Sequence, residues 1–178
     1  MIARLVKDAV QMSYAATGKV DVPSVTATVF LSDSYAVVAL TRVRELARKL
    51  GLRGVNRLLR IAQTAVYGVE IGTGVTLGDG VYFTHTLGIV IGGNATIGAR
   101  VKFMGNNTVG TAKDNGYPIV EDDVVIGCGA RILGPVRVGA RSVIGANAVV
   151  LDDVPPDSIA VGVPAKARTK RGPIDDGA

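Results

Sequence analysis

A parallel β-helix of six-residue repeats, preceded by a small α-helical region, is the architecture that this 178-residue sequence predicts. Three observations predict it. The first is an unbroken period of six from Val120 to Val154, read as VEDDVV, IGCGAR, ILGPVR, VGARSV, IGANAV and VLDDVP. A branched aliphatic opens every block, and a small or modest side chain stands four places later, at Val124, Ala130, Val136, Ser142, Ala148 and Val154. A period of six matches neither the 3.6 residues of a helical turn nor the two-residue alternation of a plain strand. It matches a short strand plus a turn, three to a coil, with each opening aliphatic stacked inside on its counterpart one coil away. The second is composition: 48% of residues are hydrophobic but only 4% aromatic, with no Trp, which suits a narrow interior of stacked Val, Ile, Leu and Ala. The third is the supply of 23 glycines, with Asn and Asp at the repeat corners, where a sharp turn demands positive φ.

The elements follow in order. Residues 2–16 predict a helix with Ile2, Leu5, Val6, Ala9 and Val10 on one face. Thr17-Gly18 ends it, and Asp21-Val22-Pro23-Ser24 reads as a loop or a helix start. A helix is expected from Ser24 to Leu50, with Val37, Leu40, Val43, Ala47 and Leu50 inward and Arg42, Glu45, Arg48 and Lys49 outward. Gly51 and Gly54 punctuate the chain before a third helix over 55–67, with Leu58, Leu59, Ala62 and Val66 as its core side and Arg53, Arg57 and Arg60 outside. Repeats begin after Gly68 with Ile71, Leu77 and Phe83, slip by two residues between Phe83 and Ile91, and resume at Ile97, Phe103 and Val109. GTAKDNGYPI, between Val109 and Val120, predicts a loop extruded from the coils. The residues after Val154 close the last coil, and the final dozen are expected to be mobile. The chain thus divides into a helical region (1–67), a β-helix domain (68–164) and a basic tail (165–178).

A net charge of +5 raises the question of an anionic partner, but the arginines at 42–60 read as a solvated helix face, without the aromatic interleaving that nucleic-acid binding would add. The single Cys excludes an intrachain disulfide. The charged start MIARLVKDAVQ does not read as a signal peptide, and no run approaches the roughly 18 apolar residues of a membrane span, so a soluble cytoplasmic protein is expected. With one His in total, a zinc site of three His ligands has no ligands to draw on, and no metal is expected. A β-helix is regular except at its interruptions. Here one interruption holds the only His, His85, and the other is the extruded loop.

Those residues resemble the serine acetyltransferase family of hexapeptide-repeat acyltransferases. GVEIGTGVTLGDGVYFTHTLGIVIGGNATIG looks like the family's first coils, including the slip after the His. The stretch from Val109 through the loop to GVPAKA looks like its later coils and closing GVPA motif. The resemblance covers about 66–168, while the N-terminal helices match loosely and are shorter. It implies a left-handed β-helix assembled as a homotrimer, with acetyl-CoA in a groove between subunits and a small hydroxylated acceptor beside the catalytic His, in a step of cysteine biosynthesis.

Residue by residue, the resemblance implies that His85 is the catalytic base and that Glu70, fifteen residues earlier where the family has Asp, is its carboxylate partner. Thr84 stands where the family has an Asp before the His, and Gly116-Tyr117 where its loop carries Arg-His for the acceptor. Asp21, in Asp21-Val22-Pro23, is a counterpart of an acceptor-binding Asp-Pro, with one residue inserted. Thr84, Tyr117 and Asp21 are therefore the expected acceptor-binding residues. The cofactor contacts map onto Gly110, Thr111, Cys128, Ala146, Lys166 and Arg168. Small side chains would let the thin pantetheine arm lie along the coil, and the cations would meet the CoA phosphates. The family's complex with cysteine synthase uses a terminal isoleucine. This sequence ends Gly177-Ala178, with Ile174 four residues short, and no such complex is expected.

The pair suits the chemistry. An alcohol attacks a thioester poorly until its proton is removed, and an imidazole, with an ordinary pKa of about 6.5, can take that proton and return it to the departing thiolate. A carboxylate would fix the ring's tautomer and stabilise the transient imidazolium. Direct transfer needs no protein nucleophile, so Cys128 is not required as one. Two readings stay open beside acetyl transfer to serine: transfer to a sugar or another hydroxylated metabolite, and a silent β-helix serving as an assembly subunit.

Overall fold

The computed structural model describes residues 1–113 and 116–170. Four helices, α1 (Ile2–Thr17), α2 (Val22–Leu31), α3 (Asp33–Lys49) and α4 (Arg53–Tyr67), lead into the repeats. Three stacks of short strands then wind around one axis. The first face comprises β1 (Val69–Ile71), β4 (Ile89–Ile91), β7 (Thr108–Gly110), β10 (Arg131–Leu133) and β13 (Val149–Val150). The second comprises β2 (Thr76–Leu77), β5 (Thr96–Ile97), β8 (Ile119–Val120) and β11 (Arg137–Val138). The third comprises β3 (Tyr82–Phe83), β6 (Lys102–Phe103), β9 (Val125–Ile126), β12 (Val143–Ile144), β14 (Ser158–Gly162) and the antiparallel β15 (Ala165–Thr169). All other pairings are parallel, for example Val120 with Val138, eighteen residues on. Phe83 pairs with Phe103, twenty residues on, which places the two-residue slip at the corner carrying His85.

The repeat reading holds residue by residue. Ile71, Leu77, Phe83, Ile91, Ile97, Phe103, Val109, Val120, Ile126, Ile132, Val138, Ile144 and Val150 all lie inside at 2% exposure or less. Val124, Ala130, Val136, Ser142, Ala148 and Val154 are buried beneath the corners. Phe83 and Phe103 stack at 5.3 Å between ring centroids. Where a corner turns through positive φ without glycine, charge alternates along the edge from second to third face. Arg100, Asp123, Arg141 and Asp157 have φ of 55°, 59°, 59° and 54°. Arg100 Nε donates to Asp123 at 2.6 Å and Arg141 Nε to Asp157 at 2.7 Å.

The helical region departs from the sequence reading in five ways, the last being the burial of Arg42. The expected helix from Ser24 to Leu50 breaks at Ser32, whose hydroxyl caps α3 by accepting from Tyr35 N. On α1 the buried positions are Asp8, Ala9, Met12 and Ser13, while Ile2 and Val6 are exposed. On α3, Val37 and Ala47 are buried as expected, but Val43 is exposed, as is Leu50, which caps the helix. On α4, Leu58 and Val66 are exposed, Ala62 is exposed and Leu59 is half-buried, so its apolar stripe lies on the outside of the single chain.

Arg42, expected outward, is 3% exposed, and Arg44 likewise. The reason is the first coil. Its amides bond to the second coil, as Gly72 N to Ile91 O and Gly78 N to Ile97 O, but no coil lies on its other side to satisfy its carbonyls. Guanidinium groups take that place. Arg42 donates to Leu77 O and Gly78 O, each at 2.7 Å, and is held by Asp8 at 3.0 Å. Asp8 accepts from Gly80 N at 2.7 Å. Arg44 donates to Ile71 O at 2.7 Å and to Gln63 at 2.9 Å. Asp79 extends the lattice, its carboxyl drawn down to about 2 chiefly by the Lys7 hydrogen bond, then by Arg4, against desolvation. Among the described residues, no single helix is long and apolar enough to cross a membrane.

The expected mobile final dozen does not describe Ala167–Thr169, which lie in β15 paired with β14. Ile174, Gly177 and Ala178 lie outside the described residues.

Candidate active site

The slip that the sequence shows after Phe83 opens the edge between third and first faces and leaves His85 exposed there. Beneath it runs a column fixed by register. Phe83, Phe103, Ile126, Ile144 and Ala160 are consecutive partners on the third face. The residues two places beyond each are His85, Gly105, Cys128, Ala146 and Gly162. Gly129 N donates to Gly105 O at 3.0 Å and Asn147 N to Cys128 O at 2.8 Å, which ties the column together. A Cβ placed on Gly105 would lie 3.0 Å from His85 Cβ, so glycine is what lets the imidazole residue seat directly on the coil below. Cys128 and Ala146 are exposed along this edge. At its far end Lys166 and Arg168 stand exposed on β15, opposite Val161 and Ile159.

Gly110 and Thr111 lie elsewhere. Gly110 pairs with Leu133 at the end of the first face, so both residues belong to the edge between first and second faces. Thr111 Oγ1 is buried there without a hydrogen-bond partner among the described residues. Within one chain the expected cofactor residues are therefore split over two edges of the prism.

The expected pairing of Glu70 with His85 is not formed in this chain. Glu70 points outward between the buried Val69 and Ile71 on the first face, and its carboxylate meets Arg60 at 3.5 Å, with about half of its side chain exposed. It lines a cleft of about 340 Å³ with Arg60, Ile61, Thr64 and Ala65, whereas His85 lines a different one. Arg60, read as an outward charge, is the group that its carboxylate meets instead.

The acceptor candidates also separate. Thr84 adjoins His85 in its cleft, with Oγ1 3.6 Å from Met104 Sδ. Tyr117 is half-buried and lies flat against Gly93, where a Cβ would come within 1.9 Å of the ring, so in this chain it packs on the coil away from His85. Asp21 is the N-cap of α2, accepting from Ser24 N at 2.8 Å. That bond holds its carboxyl below the usual range, and the residue is absent from the His85 cleft.

The cleft of about 300 Å³ in front of His85 is lined by Tyr82, Phe83, Thr84, Thr86 and Leu87 and, from the helical region, by Ser32, Asp33 and Ser34. Ser34 Oγ accepts from Phe83 N at 2.8 Å and locks α3 to the third face. The sequence reading missed these three residues. The Ser-Asp-Ser run was itself a helix-start signal, but nothing local tied it to a His some fifty residues away.

A three-sided stack of hexapeptide coils with a lone His at its interrupted edge defines the hexapeptide-repeat transferase class. The pattern of the family described as bacterial transferase hexapeptide (six repeats) matches residues 117–152. The serine acetyltransferase of Helicobacter pylori (strain J99) is 41% identical over 121 residues, covering 66% of this chain and 68% of that protein. A serine acetyltransferase solved in complex with CoA superposes with a TM-score of 0.82 at 27% identity, over 92% of this chain and 68% of the other. The soybean serine acetyltransferase complexed with serine gives a TM-score of 0.80 at 31% identity, over 90% and 67%. The chain belongs to the serine acetyltransferase family. It spans 60%, 50% and 55% of the length of three further curated serine acetyltransferases that it matches at about 40% identity.

Proposed function

We propose that this chain transfers the acetyl group of acetyl-CoA to the hydroxyl of serine, with His85 as the general base. One observation carries the reading: an exposed imidazole at the head of a track of small residues, Gly105, Cys128, Ala146 and Gly162, with cations at the track's far end. A thin pantetheine arm fits such a track, its thioester at the His end and its phosphates toward Lys166 and Arg168. His85 takes the proton of the acceptor hydroxyl as its oxygen bonds to the acetyl carbonyl carbon. The C–S bond then breaks, and the same imidazole returns the proton to the thiolate of CoA. The CoA and serine held by the two solved relatives support this choice of co-substrate and acceptor.

The division of the cofactor residues over two edges supports a homotrimer. In a threefold ring of prisms, the edge bearing Gly110 and the unpartnered Thr111 hydroxyl of one copy can face the His85 edge of the next. Free-thiol release from acetyl-CoA, followed with L-serine and with a panel of sugars, tests the function. Turnover with L-serine is the expected result, and turnover with sugars alone would replace serine as the acceptor. Cys128→Trp, which fills the track without touching His85, is expected to weaken CoA binding by about ten-fold or more in calorimetry. Unchanged affinity would put the cofactor elsewhere.

Glu70 is proposed as the carboxylate that orients the imidazole once it leaves Arg60. Glu70→Gln is expected to lower kcat by about ten- to a hundred-fold with little change in KM. An unchanged kcat would leave Glu70 as a partner of Arg60 only.

A further inference from the structure

Among the described residues, the cleft in front of His85 holds one carboxylate, and it has nothing to bind. Ser32 Oγ is committed to Tyr35 N, and Ser34 Oγ to Phe83 N. Asp33, exposed in the first turn of α3, has neither a hydrogen bond nor an ion pair among the described residues. It is also the only carboxylate in the wall of that cleft. Thr84, next to the imidazole, can offer a hydroxyl but no charge, and Tyr117 and Asp21 are occupied elsewhere. A cation entering this space would lose water and find one opposite charge, that of Asp33.

We infer that Asp33 is a specificity-determining residue, whose carboxylate holds a cationic group of the acceptor while His85 takes the proton from the acceptor's hydroxyl. The acceptors selected are amino alcohols, among them free amino acids with a side-chain hydroxyl, rather than neutral sugars. The inference rests on the acetyl-transfer reading for the role of His85, but the recognition itself is a binding event and is tested separately. Ser34 holds Asp33's helix turn against Phe83, two residues before the imidazole, so the carboxylate and the base are carried on one rigid joint.

The test follows two readouts in wild type, Asp33→Asn and Asp33→Glu. One is steady-state thiol release with L-serine and with N-acetyl-L-serine, which lacks the ammonium group. The other is the imidazole NMR signal of the protein's single His during titration with L-serine. In Asp33→Asn, both KM for L-serine and the Kd from the His85 signal are expected to rise about ten-fold or more. The kcat should change by less than about three-fold and KM for acetyl-CoA should hold. N-acetyl-L-serine should be an equally poor substrate for both proteins, and Asp33→Glu should recover part of the loss. Serine affinity unchanged by Asp33→Asn, by either readout, overturns the inference while serine turnover stands. Asp33-dependent binding without thiol release overturns acetyl transfer and leaves the inference standing. Absence of both a serine-induced shift and serine turnover overturns both.

Discussion

Replacing His85 with alanine is expected to lower kcat/KM for acetyl transfer by about 10²–10⁴-fold, the contribution of a positioned general base. The affinity for CoA should be kept. The loss should fall on kcat, because the side chain acts on a proton that moves only as the thioester is attacked. The fold should not suffer: His85 is exposed at an edge, and its side chain contributes nothing to the stacked interior. Thiol release and a thermal melt on the same preparation check the two halves. A variant that keeps its activity would mean that the proton leaves by another route. With a single His in the sequence, no second imidazole could substitute for it within the chain.

Replacing Arg42 with alanine is expected to destabilise the protein by about 3–5 kcal/mol, the usual cost of removing one partner of a buried ion pair. Arg42 is 3% and Asp8 0% exposed, so the carboxylate would stay buried without its counter-ion. Leu77 O would keep the donor Arg4, at 2.7 Å, but Gly78 O would lose the only donor that the helical region gives it. Urea unfolding followed by far-UV circular dichroism measures the difference. Pairing Arg42→Met with Asp8→Ala should recover part of it, because two uncharged groups replace one stranded charge. A loss below about 1 kcal/mol would place Arg42 among weak surface pairs.

The β-helix was legible because its period fixes orientation without reference to anything distant. Each opening aliphatic from Ile71 to Val150 meets another of its kind above or below, so the pattern itself states what each side chain touches. The helices carry no such internal partner. Arg42 looks like any surface arginine until the unsatisfied carbonyls of Leu77 and Gly78 are in view. Leu58 and Val66 look like core until the single chain offers them nothing to pack on. The site divided along the same line. His85 announced itself by interrupting a repeat, and the column through Cys128 and Ala146 follows from register alone. Glu70 was singled out by the family resemblance, and nothing in the resemblance showed that its carboxylate would lie beside Arg60, which comes from another element. Asp33 reaches the imidazole's cleft only through the packing of α3 on the third face.

A stack of coils grows by adding one rung to an exposed rung, and a rung left bare would accept the end of a second molecule as readily as its own continuation. Here the lower rung is plugged by guanidinium groups from α1 and α3, and the upper rung of the third face is overlaid by β15, which runs against the stack and carries Lys166 and Arg168 outward. The first rung and the third-face end of the last one are thereby made unfit as templates. A chain with the inward-facing regularity of a fibre so carries, on those edges, its own obstacle to end-to-end growth.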